Sequence, residues 1–249
     1  MCYTVAFLER KAEEYAARYK KLLPDVVQKE KIPKQLPLFY LVSGFEHPQL
    51  PIVKSDGIFM YEWGLIPDWV RDENTAAEIQ TKTLNAMGET AFEKPSFKKS
   101  ISSQRCLLGV SGFYEWRDKN KIKYPYFIHL KSNSIFSLGC IYEKWINRQT
   151  GEIRNTFSIL TTPANPLMTK IHNLKKRMPL ILDPKDEEKW INPLLTTPEV
   201  SALIKPYQEE DMIAYTVSKN INNVKNIRNV PSSMEPVNYP ELIENNLLF

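Results

Sequence analysis

The sequence predicts an α+β fold: a mixed, largely antiparallel sheet that curls toward a barrel, with helices at its periphery. Two observations carry this. Apolar, β-branched and aromatic runs of strand length crowd residues 105–182, each bounded by Gly, Pro, Asn or Lys clusters. Helix signals fall around those runs, so strands cluster in the middle and helices flank them. A third observation sets the domain count. Proline is frequent (18), glycine scarce (8), and no period of 20–50 residues recurs, which argues against flexible linkers and repeat arrays. A single domain over 1–249 is expected.

The elements follow in order. Leu8, Ala12, Tyr15, Ala16, Tyr19 and Leu23 recur at helical spacing and predict an amphipathic helix over 8–23. Residues 33–62 are Pro-punctuated with short apolar runs such as Leu38-Phe39-Tyr40-Leu41-Val42, which reads as strands and turns. Lys94 to Gln104 reads as a short helix. Strands are expected at 105–110, 113–117, 124–131, 135–145, 155–162 and 178–182. Asn165-Pro166 looks like an N-cap followed by Pro at the first helical position, opening a short helix toward His172. Thr197-Pro198 repeats the signal before a helix ending near Pro206, and a last strand is expected at 213–218.

Composition narrows the function classes. With 43% apolar and 25% charged residues the chain is of ordinary globular type. No apolar run approaches the ~18–20 residues that cross a bilayer, and the polar N-terminus is unlike a signal peptide. No membrane partner is expected. The three cysteines, Cys2, Cys106 and Cys140, form neither a CxxC pair nor an even-numbered framework, so a disulfide scaffold or zinc ribbon is a poor reading. A reducing cytoplasmic compartment, a monomer, and no metal or cofactor are expected.

The net charge of +4 is too small to announce a nucleic-acid binder, but its distribution is uneven. Eight basic residues lie between Lys94 and Lys123 against Glu115 and Asp118. Lys170 to Arg177 and Lys219 to Arg228 add four and three more with no acid. Any one stretch alone reads as a solvated face. Three of them interleaved with Trp63, Trp69, Tyr114 and Trp116 fit a groove for single-stranded nucleic acid, where cations track phosphates and rings stack on bases.

Cys2 carries the most chemistry. A small residue after the initiator Met permits its removal, leaving cysteine at the mature N-terminus. The α-amine has a pKa of roughly 7.7–8, so on the order of a quarter of it is a neutral nucleophile near pH 7, against about a thousandth for lysine. With its thiol it makes a 1,2-aminothiol, which converts an aldehyde to a Schiff base and then to a thiazolidine. Position alone leaves the bland alternative open, a cysteine that merely follows the start. Glu115 sits among aromatics in Gly112-Phe113-Tyr114-Glu115-Trp116, where an apolar site would raise its pKa into the proton-shuttling range; an outward strand residue is the alternative. His172 precedes a basic cluster that favours its neutral form. His47 reads as a surface residue in a turn and His129 as structural. Asn85 has no reading of its own beyond a turn or cap.

Taken together, Met1-Cys2, Trp63-Gly64-Leu65-Ile66-Pro67-Asp68-Trp69, Asn85-Ala86 with Glu89-Thr90, Arg105-Cys106-Leu107-Leu108 into Gly112–Trp116, Leu160–Asn165, Ile171-His172 and Arg177–Leu182 resemble, in order, the SOS response-associated peptidase family. The resemblance runs from Cys2 to about Val224. It implies a barrel-like α+β fold, binding of single-stranded DNA, and covalent capture of abasic sites by Cys2, with lyase and self-release or peptidase-like activity. It further implies that Asn85 orients the amine and sugar, that Glu115 shuttles protons, and that His172 assists ring opening and Schiff-base chemistry. Trp63, Arg105, Trp116, Thr161 and Arg177 would contact DNA. Competing readings are an N-terminal-nucleophile cysteine hydrolase and a non-catalytic single-strand binder. The chain departs from the family at Tyr3-Thr4 (usually Gly-Arg), at Met87 (usually Arg), and in the four residues Asn173–Lys176 before Arg177, where one is common. Two expected phosphate contacts are thereby lost, and Lys175 or Lys176 are candidates to stand in for a displaced Arg177.

Overall fold

The computed structural model describes residues 2–19, 33–131 and 135–242. Its elements are β1 (Thr4–Phe7), α1 (Ala12–Arg18), β2 (Phe39–Ser43), β3 (Gln49–Lys54), β4 (Gly57–Trp63), α2 (Glu73–Lys82), β5 (Asn85–Met87) and α3 (Lys98–Ser103). There follow β6 (Arg105–Val110), β7 (Gly112–Lys119), β8 (Ile122–Leu130), β9 (Phe136–Ile146), β10 (Ile153–Pro163), α4 (Pro166–Ile171), β11 (Arg177–Pro179), β12 (Ile181–Leu182), α5 (Glu187–Ile191), α6 (Thr197–Leu203) and β13 (Met212–Thr216). The fold is mixed α+β, as the sequence predicts.

Strands β10, β4, β3, β6 and β9 pair in that order, and β9 pairs back onto β10, which closes a five-stranded barrel. Every contact in the ring is antiparallel except β10 with β4. Closure leaves the barrel without a free edge along this ring. Strands β5 and β11 extend β10, and β12 extends β9. A second, wholly antiparallel sheet runs β13-β8-β7-β1-β2.

The two sheets are continuous through one residue. Strand β6 belongs to the barrel and β7 to the second sheet, and Ser111 between them donates its N–H to Ala6 O at 2.9 Å while its hydroxyl accepts from Leu8 N. Gly112 makes the corner possible: a Cβ there would meet the Phe127 ring at 2.2 Å and the Ile128 carbonyl at 2.8 Å. One apolar core, including Cys2, Val5, Trp63, Leu108, Phe113, Ile128 and Phe157, fills the space the two sheets share. Burying side chains of that size is worth roughly 1.5–3 kcal/mol each.

The first helix is shorter than expected. It begins at Ala12, because Leu8 to Lys11 is held extended: Leu8 N donates to Ser111, Leu36 N to Arg10 O and Ala12 N to Lys34 O. Residues 20–23 of the expected helix lie outside the described residues. The expected strand at 178–182 is two short ones, pairing with different partners, β10 and β9. Thr196, not Thr197, caps α6, its N–H donating to Glu199 at 2.8 Å, and the helix stops at Leu203. The last strand spans Met212–Thr216 rather than 213–218.

Candidate active site

The site forms on β7, just past the corner where the chain leaves the barrel for the second sheet. Val5 opposes Phe113 and Ala6 opposes Gly112, and the same register carried back two residues sets Tyr3 opposite Glu115. The N-terminal segment thereby brings Cys2 into the core, fully buried, with Sγ 3.9 Å from Thr4 O. Glu115 is also buried.

His172 arrives from the other direction, at the end of α4. Asn165 caps that helix by accepting from Met168 N at 2.8 Å, Pro166 opens it, and His172 closes it by donating its N–H to Met168 O. This is the helix start the sequence predicts, since Asn before Pro supplies both the cap and a pre-set φ. The next residue clamps the loop to β7: Asn173 Nδ2 donates to Asp118 O at 2.8 Å, and Asp118 N donates to Asn173 Oδ1 at 3.0 Å. The ring then lies with Nδ1 3.7 Å from Glu115 Oε1. Nδ1 is also 2.9 Å from the Arg177 carbonyl, which can only accept, so Nδ1 carries the hydrogen and Nε2 the lone pair.

Burial shifts both groups toward neutrality. It pushes the Glu115 carboxyl up to about 8 and the His172 imidazolium down to about 4, the latter helped by Lys123 and Lys175. Near pH 7 the pair is a carboxylic acid beside a neutral imidazole, not a salt bridge. The Cys2 thiol is pushed far above its ordinary range, by burial first and by Glu115 second. An acid, a base and a protonated thiol thus share one neighbourhood.

That neighbourhood opens to solvent through a cleft of about 390 Å³ lined by Tyr3, Glu115, Trp116, Lys123, His172, Leu174 and Lys175. The Trp116 indole N–H donates to Asn222 Oδ1 at 2.6 Å, and Asn222 Nδ2 donates to Lys123 O, so the segment after β13 holds one wall in place. The four residues Asn173–Lys176 form a turn closed by Lys176 N donating to His172 O, with Lys176 at φ 50°. The turn projects Leu174 and Lys175 over the cleft.

The SOS response associated peptidase (SRAP) sequence signature matches residues 1–224. The chain belongs to that family. Abasic site processing protein YoqW of Bacillus subtilis is 39% identical over 219 residues, which are 82% of this chain and 89% of the relative. Abasic site processing protein HMCES of Gallus gallus is 29% identical over 214 residues, 77% of this chain and 61% of that one. A solved structure from Bacteroides thetaiotaomicron superposes with a TM-score of 0.85 at 41% identity, covering 95% of this chain and all of that one. No helix among the described residues is long and apolar enough to cross a membrane.

Of the residues the SRAP resemblance implicates, the structure gathers Cys2, Glu115, His172 and Trp116 at the cleft. Asn85 lies on β5, 8% exposed, and neither atom of its amide is hydrogen-bonded among the described residues. A buried amide with no partner is costly in a folded protein.

Three residues expected to touch DNA present no surface. Arg105 is buried, its guanidinium donating to the carbonyls of Ile101, Ser102, Trp190 and Asn192. Trp63 stacks on Phe157 with centroids 6.1 Å apart and donates to Leu84 O, deep in the core. Thr161 is buried against Ala86 O and the Arg177 side chain. Tyr114, expected to flank the groove, is buried too, donating to Tyr40 O. Arg177 opens β11 and grips Glu89 with both terminal nitrogens. Of the cations in the basic stretches, Lys123 and Lys175 are those lining the cleft. The sequence offers Lys175 as a stand-in for Arg177 and Lys123 only as part of a basic stretch, and it marks Tyr3 and Leu174 only as departures from the family motif.

Proposed function

We propose that this chain captures abasic sites in single-stranded DNA as a covalent adduct of Cys2, once Met1 is removed, and carries the associated lyase and self-release chemistry. The observation that supports it most is the meeting of Glu115 and His172, both neutral, at the floor of a cleft beside buried Cys2. The relatives named abasic site processing proteins point the same way.

Each step uses a group on the page. An abasic deoxyribose must open to its aldehyde, which takes the C1 hydroxyl proton away and puts a proton on the ring oxygen. Protonated Glu115 donates to that oxygen, and His172 Nε2 accepts the hydroxyl proton. The Cys2 amine adds to the aldehyde carbon and a proton moves from nitrogen to oxygen, giving a carbinolamine. The proton that His172 took passes to the Glu115 carboxylate it faces, leaving His172 neutral again. That proton on Glu115 then lets the hydroxyl leave as water, and the nitrogen lone pair forms the iminium. The Cys2 thiol then adds to the iminium carbon, the C=N electron pair returns to nitrogen, and the thiol proton goes to the Glu115 carboxylate. The thiazolidine is closed and Glu115 is restored. Because burial keeps the thiol protonated, the amine acts first. An iminium that escapes closure loses its C2 proton to His172 and expels the 3′ phosphate, which is the lyase branch. The unpartnered Asn85 amide is available to orient the amine and sugar.

Met1-free protein incubated with a strand carrying one abasic site, followed by denaturing electrophoresis and mass spectrometry, tests this. Wild type forms a heat-stable adduct. Cys2→Ser forms one only when borohydride reduces the imine. A heat-stable, unreduced Cys2→Ser adduct overturns ring closure through sulfur. The hydrolase reading takes second place, since it requires a Cys2 thiolate that burial opposes.

A further inference from the structure

We propose that Tyr3, backed by Phe45, and Leu174 form a stacking subsite for the nucleobase adjacent to the lesion; this rests on the reading above and assigns to it a specificity element. Tyr3 lines the cleft beside Glu115, and its ring lies 5.1 Å from that of Phe45 at an interplanar angle of 39°. Phe45 sits in a single helical turn, Gly44–Glu46, tied to the N-terminal segment by Gly44 N donating to Tyr3 O at 2.8 Å. It is 55% exposed although aromatic. Leu174, on the turn closed by Lys176, is 64% exposed and lines the same cleft.

An aromatic pair and a leucine held in solvent at the mouth of a reaction cleft cost hydration unless something apolar covers them. Charge complementarity selects what covers them here. Lys123 and Lys175 line the same opening, so the occupant carries an apolar face together with flanking negative charge. A nucleotide joined to the abasic sugar has that composition, its base meeting the rings and its phosphates the ammonium groups. The sugar being processed has no base of its own, so the nearest face available for stacking belongs to its neighbour in the strand. Positions 3, 4, 87 and 173–176 are where this chain departs from the motif: arginines are lost at 4 and 87, and a ring and a leucine are gained at 3 and 174. Part of the grip on DNA therefore moves from phosphate contacts to stacking.

The test uses Met1-free protein and single strands with a central tetrahydrofuran, an unreactive abasic analogue, flanked by adenine, by thymine or by a second tetrahydrofuran. Binding is read by anisotropy, and a 2-aminopurine neighbour reports stacking by quenching. The order adenine, thymine, second tetrahydrofuran is expected, with at least about fivefold between the ends. Tyr3→Ala, Phe45→Ala and Leu174→Ala should each compress that range and restore 2-aminopurine emission, while Tyr3→Phe keeps both; circular dichroism of each variant checks its fold. If wild type captures a natural abasic strand yet binds the three analogues alike, the subsite is wrong and the functional reading stands. If wild type captures no abasic strand, both fall.

Discussion

Asn173 and Asp118 exchange two hydrogen bonds, side-chain amide to backbone in both directions, and this clamp sets His172 over Glu115. The clamp couples an inserted turn to the strand that carries the acid. At the turn's other end Lys176 O accepts from Ala164 N and Lys176 N donates to His172 O, so the residues between loop outward.

Removing the clamp should disturb the chemistry more than the fold. Asn173→Ala loses two hydrogen bonds, about 1–3 kcal/mol. Small misplacements of a positioned group can cost about 100-fold in rate. Single-turnover capture should therefore slow by tenfold or more while the protein stays folded. Histidine NMR provides a readout that general destabilisation does not, since the His172 pKa should climb from about 4 toward its ordinary 6.5 as the ring gains solvent. An unchanged titration would show that the clamp does not seat the ring.

Glu115 should be visible in stability as well as in rate. Its pKa is raised from 4.5 to about 8, so between those values the folded chain keeps a proton that the unfolded chain has released, and stability falls as pH rises. For His172, lowered from 6.5 to about 4, the unfolded chain holds the extra proton, and stability rises with pH across that window. The two oppose each other below pH 6.5 and leave Glu115 alone above it. From pH 6.5 to 8 wild type should lose stability at up to about 1.4 kcal/mol per pH unit relative to Glu115→Gln. Denaturant titrations at three pH values measure it. In kinetics, Glu115→Gln should slow adduct formation by about 10²–10⁴ with little loss of DNA affinity.

The barrel was legible because β6, β9 and β10 are apolar runs, and burial on the barrel makes them so. Helix α2 was not: of its ten residues only Ala76 and Gln80 are buried, so no apolar stripe marks it, though Asp72 accepting from Thr75 N is a cap signal that stands in the sequence. Strand β1 was hidden because four consecutive buried residues merge with the helical spacing that follows. Cys2, Glu115 and His172 were legible as chemistry but not as neighbours, since their meeting depends on pairing between distant strands. Arg105 and Trp63 misled for a physical reason. A buried arginine satisfied by carbonyls and a core tryptophan look, in sequence, like a phosphate contact and a stacking platform.

Arg105 separates those two roles. Arg105→Ala strips the partners from four carbonyls and should cost about 3 kcal/mol or more, read as a lowered denaturation midpoint. The salt dependence of DNA binding by the folded fraction should not move. A slope shallower by about 0.7 would mean that Arg105 reaches a phosphate after all.

Met87 supplies the converse case. Side chains alternate along a strand, so Met87 shares a face of β5 with Asn85 two residues earlier. It is 43% exposed, which leaves a longer side chain room to extend into solvent. Met87→Arg should therefore fold as wild type does and add one phosphate contact. On single strands each such contact steepens the slope of log K against log salt by about 0.7, so binding should tighten most at low salt and converge with wild type at high salt. Anisotropy titrations on the tetrahydrofuran strand at four salt concentrations measure both slopes. If Met87→Arg tightens binding equally at every salt concentration, its gain is not electrostatic; if it changes nothing, this face of β5 does not border the DNA, and the orienting role proposed for Asn85 loses its geometric support.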